Sequence, residues 1–453
     1  MNRPGWSLRR IALLCSLALP MLVLLLVAVV ALRHSDNRIP AFFARLSVGV
    51  LTSFLLLLTL RYLLVLFLSH RHHIRCPNRE VANLLSGADL PPDRADRPGV
   101  TILVPGYNEG KVIEASIRSL LLLNYPVVQV LVIDDGSTDD TFARASSLEG
   151  AHGRKTVTVL SQRNAGKAEA LNHGIRKAAH DFIMCVDADS KIEPDSLLHA
   201  MRHFADPEVV AVAGNVKVVN RGHFLTDLQS LEYIQGLNMV RRAQGLFGAV
   251  NIIPGPCGVF RKELLRQVGG YDSDTFAEDC DLTIKILGTG GRIVYEPYAV
   301  AWTEAPETVD SFMRQRYRWT RGILQSLRKH SDLMTGHTTP KTRITLWYMA
   351  FEALLWPAMN IFASFFFLYI VFFFSLGRFV VMWWMQLTVL DLSASLLCLI
   401  MERETMRLAL FSIPYRFVFV TMTDVCKLLA SIEELFSVEM TWGKLERVGV
   451  VIP

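Results

Sequence analysis

Long apolar runs at both ends of the chain restrict its fold more than any other feature. Residues 11–32 and 42–68 near the start, and 344–376 and 379–401 towards the end, are almost free of charge. Each exceeds the roughly 20 residues that a helix needs to cross a bilayer. The sequence of 453 residues is 51% hydrophobic, and that excess sits at its ends, so membrane spans are expected around a soluble middle. A cleaved signal peptide is a poor account of the first run, which is too long and is followed directly by a second. Arg61, inside the second run, is expected to snorkel or to face another helix. Residues 408–436 are ambiguous. Pro414 breaks them, and Asp424, Lys427, Glu433 and Glu434 make their second half polar. They read either as an interfacial piece with one span or as a re-entrant hairpin.

Charge placement orients the spans. Arg3, Arg9 and Arg10 precede the first run, and His70, Arg71, His72, His73 and Arg75 follow the second. Basic flanks mark the cytoplasmic side, so a multi-pass protein of the inner (plasma) membrane with its middle domain in the cytoplasm is expected. The histidines read as part of that flank rather than as a metal site. The net charge of +5 comes without long basic runs, so no nucleic-acid partner is expected. Seven scattered cysteines without a C-x-x-C pair argue against a disulfide framework or a zinc site.

The organisation expected is two N-terminal transmembrane helices over 1–68, a juxtamembrane linker over 69–98, and a soluble domain over 99–308. A basic amphipathic helix resting on the membrane surface, with its linker, follows over 309–343. Transmembrane or interfacial helices then occupy 344–436 and a tail 437–453. Within the soluble domain, short apolar strands at 100–104, 127–133, 157–160 and 182–186 alternate with helices at 111–123, 139–148 and 168–179. That alternation predicts a parallel sheet covered on both faces. Further strands are expected at 209–212 and 292–295.

Polar clusters follow the strands. Asn108 and Glu109 come after the first, Asp134 and Asp135 after the second, and Asp187 and Asp189 after the fourth. Right-handed crossovers gather such loops at one sheet edge, where open α/β sheets bind ligands. Asp187 and Asp189, at i and i+2, share a face and suit a hard cation, Mg2+ or Mn2+, on a diphosphate. Lys167 follows Asn164-Ala-Gly166 at a helix entrance, a place for phosphate, although the G-x-x-x-x-G-K-[ST] loop is absent. Glu278 and Asp279 offer a general base for an acceptor hydroxyl; an acidic helix start reads the same way in isolation.

In order, Asp135, Asp187-Ala-Asp189, Glu278-Asp279 and Gln315-Arg-Tyr-Arg318-Trp319 resemble the D, D, D, Q-x-x-R-W series of membrane-embedded processive family 2 glycosyltransferases. That group includes cellulose, chitin, hyaluronan and poly-N-acetylglucosamine synthases. The resemblance covers roughly residues 99–325. It implies an α/β GT-A-type (Rossmann-like) glycosyltransferase domain inserted between α-helical transmembrane segments. It further implies that Asp135 contacts the uridine, Asp189 and Asp187 the metal, and Asp279 the acceptor as general base. Gln315, Arg318 and Trp319 would hold the acceptor terminus and the diphosphate. Pro254-Gly-Pro-Cys-Gly258 is similar to the family's acceptor-site loop, and reads equally as a structural turn. Trp442 and Arg447 are similar to a gating segment that closes over the nucleotide.

The activity so implied is processive, inverting β-transfer from a UDP-sugar to a growing polysaccharide, coupled to export across the bilayer. The motif neighbourhoods look most like the bacterial poly-β-1,6-N-acetylglucosamine synthases, which makes UDP-N-acetylglucosamine the expected donor. Hyaluronan, chitin-oligomer and cellulose-type synthesis are the alternatives. A non-processive transferase to a lipid carrier, or a non-catalytic transporter or nucleotide sensor, are the remaining readings. A small membrane subunit or a homo-oligomer is the partner that so thin a channel calls for.

Overall fold

The computed structural model describes residues 38–75, 97–336, 338–373 and 377–438. The expected first span, residues 11–32, most of the juxtamembrane linker, and Trp442 and Arg447 lie outside them. The chain divides into two compact units, residues 59–361 with 385–453, and residues 1–58 with 362–384. The described part of the smaller unit is entirely helical, and its Phe362 and Phe366 rings pack 4.6 Å apart.

In the larger unit a nine-stranded sheet forms the centre. Its strands are β1 (Val100–Gly106), β2 (Val128–Asp134), β3 (Gly150–His152), β4 (Lys155–Ser161), β5 (Phe182–Cys185), β6 (Lys191–Ile192), β7 (Val209–Val218), β8 (Gly258–Arg261) and β9 (Arg292–Thr303). They lie in the order β3-β4-β2-β1-β5-β8-β7-β9-β6. The half made of β4, β2, β1 and β5 is parallel, as the strand–helix alternation predicts. The whole sheet is mixed, however, because β8 runs antiparallel to both β5 and β7. The central strands are buried on both faces by apolar residues such as Ile102, Val130 and Met184 on one side and Leu103, Ile133 and Ile183 on the other. Burial on both faces explains why these strands read as continuous apolar runs rather than alternating ones.

The helices that position the site are α1 (Arg38–Arg75), α2 (Ile113–Leu121) and α3 (Lys167–Lys177). Next come α4 (Phe224–Leu231) and α5 (Met239–Gly245), joined by a π-helical turn, Glu232–Asn238. Then follow α6 (Glu278–Gly288), α7 (Val309–Lys329), α8 (Pro340–Ala350), α9 (Trp356–Phe373), α10 (Gly377–Glu402) and α11 (Thr421–Leu435).

Among the described residues, Thr52–Arg75, Pro340–Phe366, Met385–Glu402 and Met406–Leu435 are long and apolar enough to cross a membrane. The chain is therefore built as a membrane protein. Arg61 faces another helix: it pairs with Glu352, donates to Tyr348 Oη at 3.2 Å and lies 4.5 Å from the Trp356 ring. The ambiguous C-terminal segment has a distinct fate. Just before it, Glu402 and Glu404 bind Arg242, Lys217 and Arg221 of the sheet domain. At its far end, Glu433 and Glu434 bind Tyr317 and Arg321 on α7. Its start is thus tied to the sheet domain and its far end to α7. Pro414 removes a backbone donor, and a wide π-helical turn at Tyr415–Val420 follows it.

Helix α7, expected to rest on a membrane surface, packs one side against protein. Phe312 and Leu327 are buried by protein, with the Phe312 ring 5.0 Å from that of Phe419. Arg316 and Arg321 are buried too, paired with Glu232 and Glu434. Its apolar side makes contacts with α6 and α11.

Candidate active site

The sheet register assembles the site. Gly106 pairs with Asp134 across β1 and β2, and Leu103 with Cys185 across β1 and β5. The residues just past these strands therefore emerge at one edge. Asn108 adopts a positive φ of 53°, and its Oδ1 accepts from Thr138 N at 2.7 Å. The Glu109 amide donates to Thr141 Oγ1 at 2.8 Å. Asp134 is buried and accepts from Ser161 Oγ at 3.3 Å.

Asp135 is engaged more fully than its sequence position suggests. It accepts from Gln162 Nε2 at 2.8 Å, Ala165 N at 2.9 Å and Gly166 N at 2.8 Å. Its carboxylate is thus the clamp that holds the loop in front of α3, the loop that presents Lys167. Gly136 makes this close approach possible, since a Cβ there would lie 2.8 Å from Asn164 N and its φ is +71°. Asp135→Asn replaces one acceptor oxygen with a donor. The expected result is a donor KM raised about tenfold, the order of losing one charge-assisted hydrogen bond, with the fold retained by circular dichroism.

Lys167 stands at the centre of the edge. Its Nζ is 2.7 Å from Asp187 Oδ1 and 3.0 Å from Glu278 Oε1. Burial opposes its charge, but Asp187 and Glu278 outweigh that and raise its pKa. Burial likewise opposes ionisation of Glu278, yet the Lys167 ammonium holds its pKa below the ordinary value. Asp279 goes the other way. Burial, and then the charge of Glu278, push its carboxyl up to about 6. Two adjacent carboxyls with pKa values driven apart are the signature of divided acid–base roles. Both open onto one small cleft, lined also by Pro105, Lys167, Asp187, Gly255 and Tyr271. Asp189 is buried behind Asp187 and accepts from Ser190 Oγ at 3.3 Å.

Helix α7 acts on the cleft through charge and packing rather than by lining it. The Arg318 charge acts on both Glu278 and Asp279. Trp319 packs against Val216, Val218, Tyr233 and Ala305. Gln315 Oε1 accepts from Arg316 Nη1 at 2.7 Å. Arg316, passed over in the sequence, organises the motif. Its guanidinium lies 4.3 Å from the Trp319 ring and 4.7 Å from that of Phe312, and it pairs with Glu232. The spacing of Phe312, Arg316 and Trp319 on one helical face carries that signal; Glu232 has none. Gly322 sets the distance between α7 and α6, because a Cβ there would fall 2.4 Å from Ala277 Cβ and 2.6 Å from Ala277 N. Gly322→Val is expected to displace the start of α6 and cut turnover at least tenfold, with donor binding by calorimetry less affected.

Residues 98–322 match the family described as "Glycosyltransferase like family 2". This stretch is a family 2 glycosyltransferase domain. The domain's relatives include the poly-β-1,6-N-acetyl-D-glucosamine synthase of Staphylococcus aureus (strain COL), 35% identical over 259 residues, which are 57% of this chain and 61% of that protein. The enzyme of the same name from Staphylococcus epidermidis is 34% identical over 256 residues, 56% of this chain and 60% of that protein. The match thus spans about three-fifths of the relatives' length. A mannosyltransferase from Pyrobaculum calidifontis, solved with GDP-Man and Mn2+, superposes with a TM-score of 0.56 at 24% identity. It covers 83% of this chain and the whole of that one, and it shares the GT-A-type fold of the family 2 domain.

A second acidic group lies in the domain. Asp272, Asp274 and Asp281 bring carboxylate oxygens within 4.8 Å of one another. Lys329 Nζ contacts all three and Lys285 Nζ contacts Asp272 at 2.6 Å. This cluster already holds its cations, and it ties α6 to the end of α7.

Proposed function

We propose that the domain transfers sugar from a UDP-sugar to the end of a growing polysaccharide, processively and with inversion, as a β-glycosyltransferase. The observation that carries this reading is the cleft in which Asp279, Glu278, Lys167 and Asp187 meet, within the field of Arg318. Asp279, with its raised pKa, takes the proton of the acceptor hydroxyl, which attacks the anomeric carbon from the face opposite the nucleotide. Lys167 and Arg318 stabilise the departing diphosphate. A single displacement inverts the anomeric centre. Trp319 offers an aromatic face to the acceptor sugar.

The carboxylates of Asp187 and Asp189 are hard oxygen donors at the strand end, and Asp187 already faces a cation, the Lys167 ammonium. That chemistry fits a divalent ion, Mg2+ or Mn2+, held by these two residues. Such an ion supplies positive charge to the leaving nucleotide diphosphate. The names of the staphylococcal relatives support UDP-N-acetylglucosamine as donor and a β-1,6-linked product.

Buried polar contacts among the membrane helices support export of the product through them. Arg416 binds Asp391 at 2.6 Å beside Tyr62, and Asn360 donates to Asp424 at 2.8 Å. Polar groups inside spans mark pathways. The basic flanks support a cytoplasmic domain on the inner membrane. The test uses the full chain in lipid nanodiscs with several UDP-sugars and either ion, following UDP release and product size. A polymer from UDP-N-acetylglucosamine is expected, with turnover abolished by EDTA and restored by added ion. A single-sugar lipid product would overturn processivity, and full turnover in EDTA would overturn the role of Asp187 and Asp189.

A further inference from the structure

Arg241 and Arg242 are neighbours on α5 with opposite fates. Arg242 donates from Nε and Nη2 to Glu402 Oε1 at 3.0 and 2.7 Å. Arg241 is only 8% exposed, yet its one partner among the described residues is neutral, Asn238 Oδ1 at 3.3 Å from Nη1. No carboxylate within the described residues pairs with it. A guanidinium in that position carries a desolvation cost that the protein itself does not offset. Burial accordingly lowers its pKa, opposed by Tyr295, Tyr233 and Asp279, which identifies the groups around it.

The placement of Arg241 is specific. Asn238 is fixed by Asn215 Oδ1 at 2.6 Å and by the Val216 carbonyl at 3.4 Å. Leu237, one turn before Arg241, packs in the same cluster as Trp319 and Tyr233. Arg241 therefore lies close to the Trp319 cluster and within the field of Asp279. Among the described residues its remaining N–H groups have no protein acceptor, and none of them is fully sealed from solvent. An anion here would face the charges of Glu278 and Asp279, whereas a neutral oxygen would not. The diphosphate is also provided for elsewhere, by Lys167 and Arg318.

We propose that Arg241 binds the acceptor: its unpartnered N–H groups donate to a hydroxyl or amide oxygen of the acceptor's terminal sugar, beside the carboxylate that removes the reacting proton. This assignment rests on the glycosyl-transfer reading above. Arg241 registers the sugar so that one hydroxyl meets Asp279, and Trp319 supports the ring.

The test compares wild type, Arg241→Met and Arg241→Lys as full chains in nanodiscs, with UDP-N-acetylglucosamine and a short N-acetylglucosamine oligomer as acceptor. The Met variant is expected to keep or raise Tm, since it removes an uncompensated buried charge. Its acceptor KM is expected to rise about tenfold or more, with donor KM and acceptor-free UDP release within about twofold, and Lys to restore part of the loss. An unchanged acceptor KM, or a donor KM that rises equally, would overturn the assignment alone. A clear fall in Tm for the Met variant would make the guanidinium structural and would also overturn it. A wild-type chain inert towards every UDP-sugar would overturn the underlying reading and this assignment together.

Discussion

Asp279→Asn is expected to lower turnover by about 10²–10⁴-fold, the contribution of a positioned general base, while calorimetry finds donor binding intact. The substitution keeps the shape of the side chain and the hydrogen bond from Cys280 N to its Oδ1, 2.8 Å in the wild type. It removes only the proton acceptor. The pH profile provides a second readout. The base works when deprotonated, and its pKa is raised to about 6 by burial and by Glu278. The wild-type rate therefore falls as pH drops through about 6, roughly two units above the limb of an ordinary Asp. The variant's residual activity should lack that limb. Stability moves in the opposite sense. A carboxyl whose folded pKa exceeds its unfolded one favours the folded state at low pH, and that benefit is lost as pH rises through about 6. Removing the charge should thus leave Tm at neutral pH unchanged or higher. A marked fall in Tm, or retained turnover, would refute the base assignment.

Glu402→Ala is expected to be the most destabilising single change at the junction of helix and domain. Glu402 ends α10 and is buried, with Arg242 on one oxygen and Asn215 Nδ2 on the other at 2.6 Å. Its loss leaves the Arg242 guanidinium, 2% exposed, without a countercharge. Breaking a buried pair from one side costs about 3–5 kcal/mol, a large share of the margin of a typical domain. Thermal unfolding in nanodiscs should show it. The double change Glu402→Leu with Arg242→Met should recover much of the loss, because it removes both charges together. Equal stability of the single variant and wild type would mean that the pair contributes nothing.

Much of the domain was legible from composition and spacing. The strands at 100–104, 127–133, 157–160 and 182–186 appear where expected because each is a mostly apolar run closed by polar residues. The two-residue β6 and the four-residue β8 were not legible. Neither is long enough to carry a period, and β8 earns its place only by pairing antiparallel with β5 and β7. The stripe on α7 is ambiguous for a related reason. A hydrophobic stripe is the same whether a bilayer or another helix covers it.

The site divides along the same line. The chain alone specified which groups gather at the sheet edge, because strand order and right-handed crossovers bring the ends of β1, β2 and β5 together. Asp187, Lys167, Glu278 and Asp279 do meet in one cleft, and Arg318 acts on the two carboxyls. The family resemblance named Asp279 as the base, but spacing alone does not separate the fields at Glu278 and Asp279. Their separation follows from Lys167 reaching Glu278 rather than Asp279, a matter of two side chains more than 100 positions apart. Nor could the sequence show that Asp135 clamps a loop, that Arg316 and Glu232 orient Trp319, or that Gly322 lets α7 approach α6. Local pattern determines elements and their edges, since it depends on residues within a turn or a strand. Partners, register between helices and the field at a carboxyl depend on contacts distant in the chain, and only packing decided them.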